Sequence, residues 1–88
     1  MSLEQIISEK LSEAFKPLEL KVENESHQHS GHAGDDGSGE SHWRIHIIAN
    51  AFTGKTRVER QRMINQTLAV ELKNSIHALA MSVKAPND

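Results

Sequence analysis

The chain has 88 residues, of which 36% are apolar and 25% charged, a length and balance that fit one small globular domain and leave no room for a second core. Its formal charge of −2 and pI near 6.3 argue against a protein that grips nucleic acid by bulk positive charge, because counterion release needs many clustered Lys and Arg. It has no cysteine, so no disulfide can form within it, and no apolar run approaches membrane-spanning length.

The N-terminus goes directly into an acidic, helix-patterned stretch without the marks of a signal or transit peptide, so the cytosol is the expected compartment. Ser2 followed three residues later by Gln5 has the form of a capping box, and Leu3, Ile6, Ile7, Leu11 and Ala14 recur at helical spacing. This predicts a helix to about Phe15, stopped by Pro17. Leu18, Leu20 and Val22 then alternate with Glu19, Lys21 and Glu23, the period-two pattern of a strand with one wet face.

Between about Ser26 and Ser41 the composition changes to glycine, serine and aspartate interspersed with His27, His29 and His32. A connection this long in so small a domain is either functional or disordered rather than a mere turn. Trp43, Ile45, Ile47 and Ala49 alternate with His42, Arg44, His46 and Ile48, which predicts a second strand pairing antiparallel with the first. His42 and His46 are expected on the sheet surface.

Phe52-Thr53-Gly54-Lys55 reads as a turn, and Thr56 with Glu59 repeats the capping-box form. The following helix shows Ile64, Leu68 and Leu72 on one face, is expected to end near Lys73-Asn74, and admits an early break near Arg62. Ile76 to Val83 reads as a last strand, with His77, Leu79, Met81 and Val83 on one face and His77 at the rim of the core. Helix, strand, strand, helix, strand makes a two-layer α+β domain, a three-stranded sheet with helices on one face.

The histidines carry the chemistry. An imidazole at a strand edge is as readily a residue hydrogen-bonded to backbone as a ligand, and loop histidines are as readily solvated. A zinc site built from His27, His29 and His32 alone is disfavoured, because structural zinc sites take four ligands, commonly with cysteine. If the imidazoles serve a centre that also needs thiolate, the sulfur must come from another molecule.

Lys55, Arg57, Arg60 and Arg62 crowd the start of the second helix, where the macrodipole favours anions, so a solvated face, an acidic partner and a nucleic-acid contact all remain open. The turn lacks the paired glycines of a GXXG loop, which weakens the nucleic-acid reading. Ser26, Ser30 and Ser41 near histidines lack a rigid orienting group, and Asp35 and Asp36 share the same glycine-rich segment. A non-enzymatic protein is therefore expected.

Four motifs in order resemble the BolA-like family: Asn24-Glu25-Ser26 at the end of the first strand, Glu40-Ser41-His42-Trp43 opening the second, Phe52-Thr53-Gly54-Lys55 with Arg60 and Arg62, and Ile76-His77-Ala78-Leu79. The resemblance runs from the first helix to Val83 and treats residues 1–88 as one domain, with a flexible Gly/His-rich loop over 26–41 and a short polar tail over 84–88. It implies an αββαβ fold similar to class II K-homology domains. It also implies a heterodimer with a monothiol glutaredoxin that shares a [2Fe–2S] cluster for iron–sulfur trafficking or iron homeostasis.

In such a heterodimer the glutaredoxin and glutathione supply sulfur, the histidines supply nitrogen, and the isolated chain binds no cluster of its own. The C-terminal ligand maps to His77 and the loop ligand to His29, ahead of His32 and His27. Gln61 stands where relatives often carry histidine. Protonating a ligating imidazole removes its lone pair, so cluster retention is expected to weaken in mild acid. DNA binding, a role also ascribed within the family, would use Lys55, Arg57, Arg60 and Arg62.

Overall fold

A computed structural model describes residues 2–25 and 42–88. Helix α1 (Leu3–Phe15) opens on the expected capping box, with the Gln5 amide donating to the Ser2 hydroxyl and the Ser2 amide donating to the Gln5 side chain. It ends as Lys16 turns left-handed (φ 47°), the Lys16 amide still donating to the Ser12 carbonyl, and Pro17 cannot continue it. Strand β1 (Glu19–Asn24) runs antiparallel to β2 (His42–Ile48), with Leu20 opposite Ile47 and Asn24 opposite Trp43.

A short 3-10 turn (Asn50–Phe52) leads into Thr53 and Gly54, whose backbone angles make a type II turn closed by the Lys55 amide on the Phe52 carbonyl at 3.1 Å. Gly54 has φ +77°, the left-handed angle this turn requires at its third position, so the residue type is dictated by geometry. Helix α2 (Arg57–Thr67) starts on the second capping box, with Thr56 and Glu59 exchanging hydrogen bonds of 2.9 and 3.1 Å.

The helix breaks at Leu68, not near Arg62, and resumes as α3 (Ala69–Asn74). The Thr67 hydroxyl donates back to the Met63 carbonyl at 2.9 Å, a competing local bond that bends helices, and the amide of Leu68 bonds at the kink. In α3 Glu71 is buried and Leu72 is partly buried against the core. The Lys10 ammonium answers the buried carboxylate at 2.8 and 3.0 Å, tying α1 to α3.

The last strand, β3 (Ala78–Lys84), starts two residues later than the alternation suggested. The amides of Ser75 and Ile76 both donate to the Glu71 carbonyl, so Ile76 completes the helix end and is buried outside the ladder. β3 pairs parallel to β2, giving the sheet order β1-β2-β3. Ile7 and Leu11 of α1, Trp43, Ile45 and Ile47 of β2, Phe52, Ile64 and Leu68 form the core, with the Phe15 and Phe52 rings 4.9 Å apart. The architecture is the expected α+β arrangement, and among the described residues no helix is long and apolar enough to cross a membrane.

Candidate functional site

Two regions of chemical interest lie at opposite ends of β3. His77 sits in the bend just before the strand and is exposed. It is therefore outside the ladder, where the sequence pattern had aligned it with Leu79 and Met81. The register places His42 opposite Ala78, and Glu25 closes the β1 end of the same edge by donating its amide to the His42 carbonyl at 2.8 Å.

Arg44 Nε reinforces that corner by donating to the Glu25 carboxylate at 3.0 Å. Glu25 and His42 are the residues on either side of segment 26–41. His77 thus stands at the end of the sheet from which the histidine-bearing segment leaves and to which it returns. His27, His29 and His32 lie outside the described residues. His42 and His46 are half-buried on the strand face opposite Trp43, Ile45 and Ile47, as expected of sheet-surface residues. Among the described residues no three His, Cys, Asp or Glu side chains are grouped so as to hold a metal ion.

At the other end, an open groove of about 550 Å³ runs between the start of α2 and the second half of β3. Lys55, Arg57 and Arg60 line it, facing Met81, Val83 and Lys84. Arg62 is not part of the groove lining; with Lys55 it lowers the pKa of Glu59, behind the larger effect of the Thr56 hydrogen bonds.

Arg60 departs furthest from the expected free cation. Its Nη1 donates to the Val83 carbonyl at 3.2 Å and to the Asp88 carboxylate, and its Nη2 reaches the other Asp88 oxygen at 3.3 Å. Residues 57 and 60 lie on the same helix face, and the Arg60 guanidinium is held by the Val83 carbonyl and the Asp88 carboxylate. Asp88 also accepts from the Ala85 amide at 3.0 Å, and the Arg60 hydrogen bond, followed by that amide, holds its carboxyl below the ordinary value of 3.8. The role of Asp88 was missed from sequence, where it read as polar tail; an acidic residue closing a turn after a strand is its only local sign.

The described frame matches known proteins along its length. The family model for the BolA-like protein matches residues 11–88, and the chain belongs to that family. It is 53% identical over its whole length to an uncharacterized protein in the cobS 5′ region of a Sinorhizobium species, of which it spans 96%. It is 42% identical, over 92% of its own length and 73% of the relative's, to the DNA-binding transcriptional regulator BolA of Escherichia coli.

The likeness to SufE-like protein 1 of Arabidopsis thaliana is 45% but spans only 23% of that protein. Among solved structures, the BolA domain of SufE1 from Arabidopsis thaliana superimposes with a TM-score of 0.88 at 41% identity, covering 99% of this chain and 95% of that one. BolA1 from Arabidopsis thaliana does so with the same TM-score at 35% identity and the same coverage.

Proposed function

We propose that this chain is a non-enzymatic partner of a monothiol glutaredoxin and shares a [2Fe–2S] cluster with it, His77 and His29 providing its nitrogen ligands, in iron–sulfur trafficking or iron homeostasis. The observation that carries this reading is the exposure of His77 at the sheet end where segment 26–41 leaves and returns. An exposed histidine in the bend before β3, at the sheet end where residues 25 and 42 meet, suits a centre completed by another molecule. These 88 residues contain no thiolate donor, so the cluster's sulfur ligands come from the glutaredoxin and glutathione.

When bound, the cluster supplies redox-active iron whose potential rises where neutral imidazole replaces thiolate. The pairing of β2 with β3 fixes the backbone into which His77 leads, and the Glu25–Arg44 pair braces the stem beside it. Anaerobic reconstitution with a monothiol glutaredoxin, glutathione, iron and sulfide tests the reading. Visible absorption and circular dichroism should show a heterodimer signal distinct from the glutaredoxin's own, reduced in His29→Ala and lost in His77→Ala. A signal that stays that of glutaredoxin alone sinks it.

A second reading, DNA-binding regulation, is favoured by the exposed cations Lys55, Arg57 and Arg62 at the start of α2 and by the name of the Escherichia coli relative. Its signature is affinity that falls steeply with salt and with Arg57→Ala. Arg60, engaged with Asp88, is the poorer reporter.

A further inference from the structure

The edge of β3 that no described strand covers and the charges beside it make a second surface, independent of the histidines. Among the described residues, only β2 flanks β3 in the sheet. The Lys84 carbonyl accepts from the Ala49 amide at 3.0 Å, so the peptide groups of Lys84 face inward, and alternation turns those of Met81 and Val83 toward the groove. Arg60 Nη1 on the Val83 carbonyl confirms that phase. Along the groove, the remaining outward groups, the amide of Val83 and both groups of Met81, are the template an edge strand offers to another chain.

We propose that this groove receives an extended acidic segment of a partner protein, which adds to β3 as a fourth strand and sets its carboxylates against Lys55, Arg57 and Lys84. The chain already shows how a carboxylate is taken here: Asp88 accepts from both terminal nitrogens of Arg60 and from the Ala85 amide. Arg60 keeps one buried donor, Nε, without a partner in the groove wall. Main-chain pairing supplies affinity in such strand additions, and alternate side chains supply selectivity.

A second copy of the chain joined β3 to β3 would bring two sets of these cations together, which charge repulsion opposes. A nucleic-acid backbone would satisfy the cations, but it lacks the alternating donors and acceptors that match Met81 and Val83. An acidic strand satisfies both.

The test uses the full chain, isotope-labelled, with an acetylated peptide of about eight residues alternating threonine and glutamate, long enough to run beside β3 at ~3.3 Å per residue. The glutamate peptide should shift the Met81 and Val83 amide signals and slow their hydrogen exchange, whereas a threonine–lysine counterpart should not. The Lys55→Glu/Arg57→Glu variant, altered only at exposed positions, should bind about tenfold more weakly with its spectrum otherwise unchanged. Four results would each overturn the proposal: no binding at millimolar peptide, equal binding of the lysine peptide, protection of the same amides by a single-stranded oligonucleotide in place of the peptide, or self-association through β3. None of them bears on the cluster reading, whose readout is the reconstituted spectrum.

Discussion

At its start β3 is preceded by an exposed imidazole, and at its far end, roughly 20 Å away at ~3.3 Å per residue, it lines a groove of fixed cations. The groove end is completed from within: a type II turn sets Lys55, a capping box sets Arg57, and Asp88 ties down Arg60. The histidine end is braced around its stems by Glu25, His42 and Arg44, with His77 exposed beside them. One end already carries a ligand-like carboxylate of its own; the other has an exposed histidine. That difference is why the cluster reading rests on His77 and why the strand-edge inference rests on geometry elsewhere.

Removing the shared support should damage both ends. Phe52 is fully buried against Phe15 at the root of the turn, so Phe52→Ala should cost about 3–5 kcal/mol in urea unfolding and abolish binding at either end. Lys10→Met sharpens the contrast by acting on the histidine side. It strands the buried Glu71 carboxylate, whose backbone carbonyl caps the helix leading to His77, and should cost about 1–3 kcal/mol, with Lys10's 38% exposure keeping it toward the lower figure.

Gly54→Ala acts on the groove side alone. A methyl there meets nothing within 4 Å, so the penalty is the left-handed backbone, about 1 kcal/mol, and loss of the histidine-end signal would contradict it.

A smaller effect is read from acid titration. Asp88 and Glu59 are held below their ordinary values of 3.8 and 4.5, Asp88 chiefly by Arg60 and Glu59 chiefly by the hydrogen bonds of Thr56. Because the folded values are depressed, the stability these carboxylates add is complete above the ordinary values and is lost as pH falls through the folded ones. Asp88→Asn should therefore be less stable than wild type at neutral pH, with the gap in Tm closing in acid. A gap that widens in acid would remove Asp88 from the account.

Much of this was legible in the sequence because local rules and tertiary packing agree. Ser2 with Gln5 and Thr56 with Glu59 mark helix starts that the hydrogen bonds reproduce, and Trp43, Ile45 and Ile47 alternate as a central strand must when one face is buried. The misses are places where a specific bond overrides periodicity. Ile64, Leu68 and Leu72 do line the core, but Glu71 is buried beside them, answered by Lys10, 61 positions away in sequence.

The start of β3 was misplaced for a similar reason, since the Glu71 carbonyl captures the amides of Ser75 and Ile76. At the candidate sites, the alternation puts His77 inside the last strand at the rim of the core, whereas it stands exposed in the bend before β3. The bonding of Arg60 was not legible, because its partner, Asp88, lies 28 residues further along a tail with no periodic signal.

The most direct measurement is the visible circular dichroism of the chain reconstituted with a monothiol glutaredoxin and glutathione, comparing His77→Ala with Lys55→Glu/Arg57→Glu. The account predicts that the heterodimer signal disappears in the first and survives in the second. A signal that survives the loss of His77 but fails on reversal of the groove charges would contradict the assignment of the cluster to the histidine end of β3.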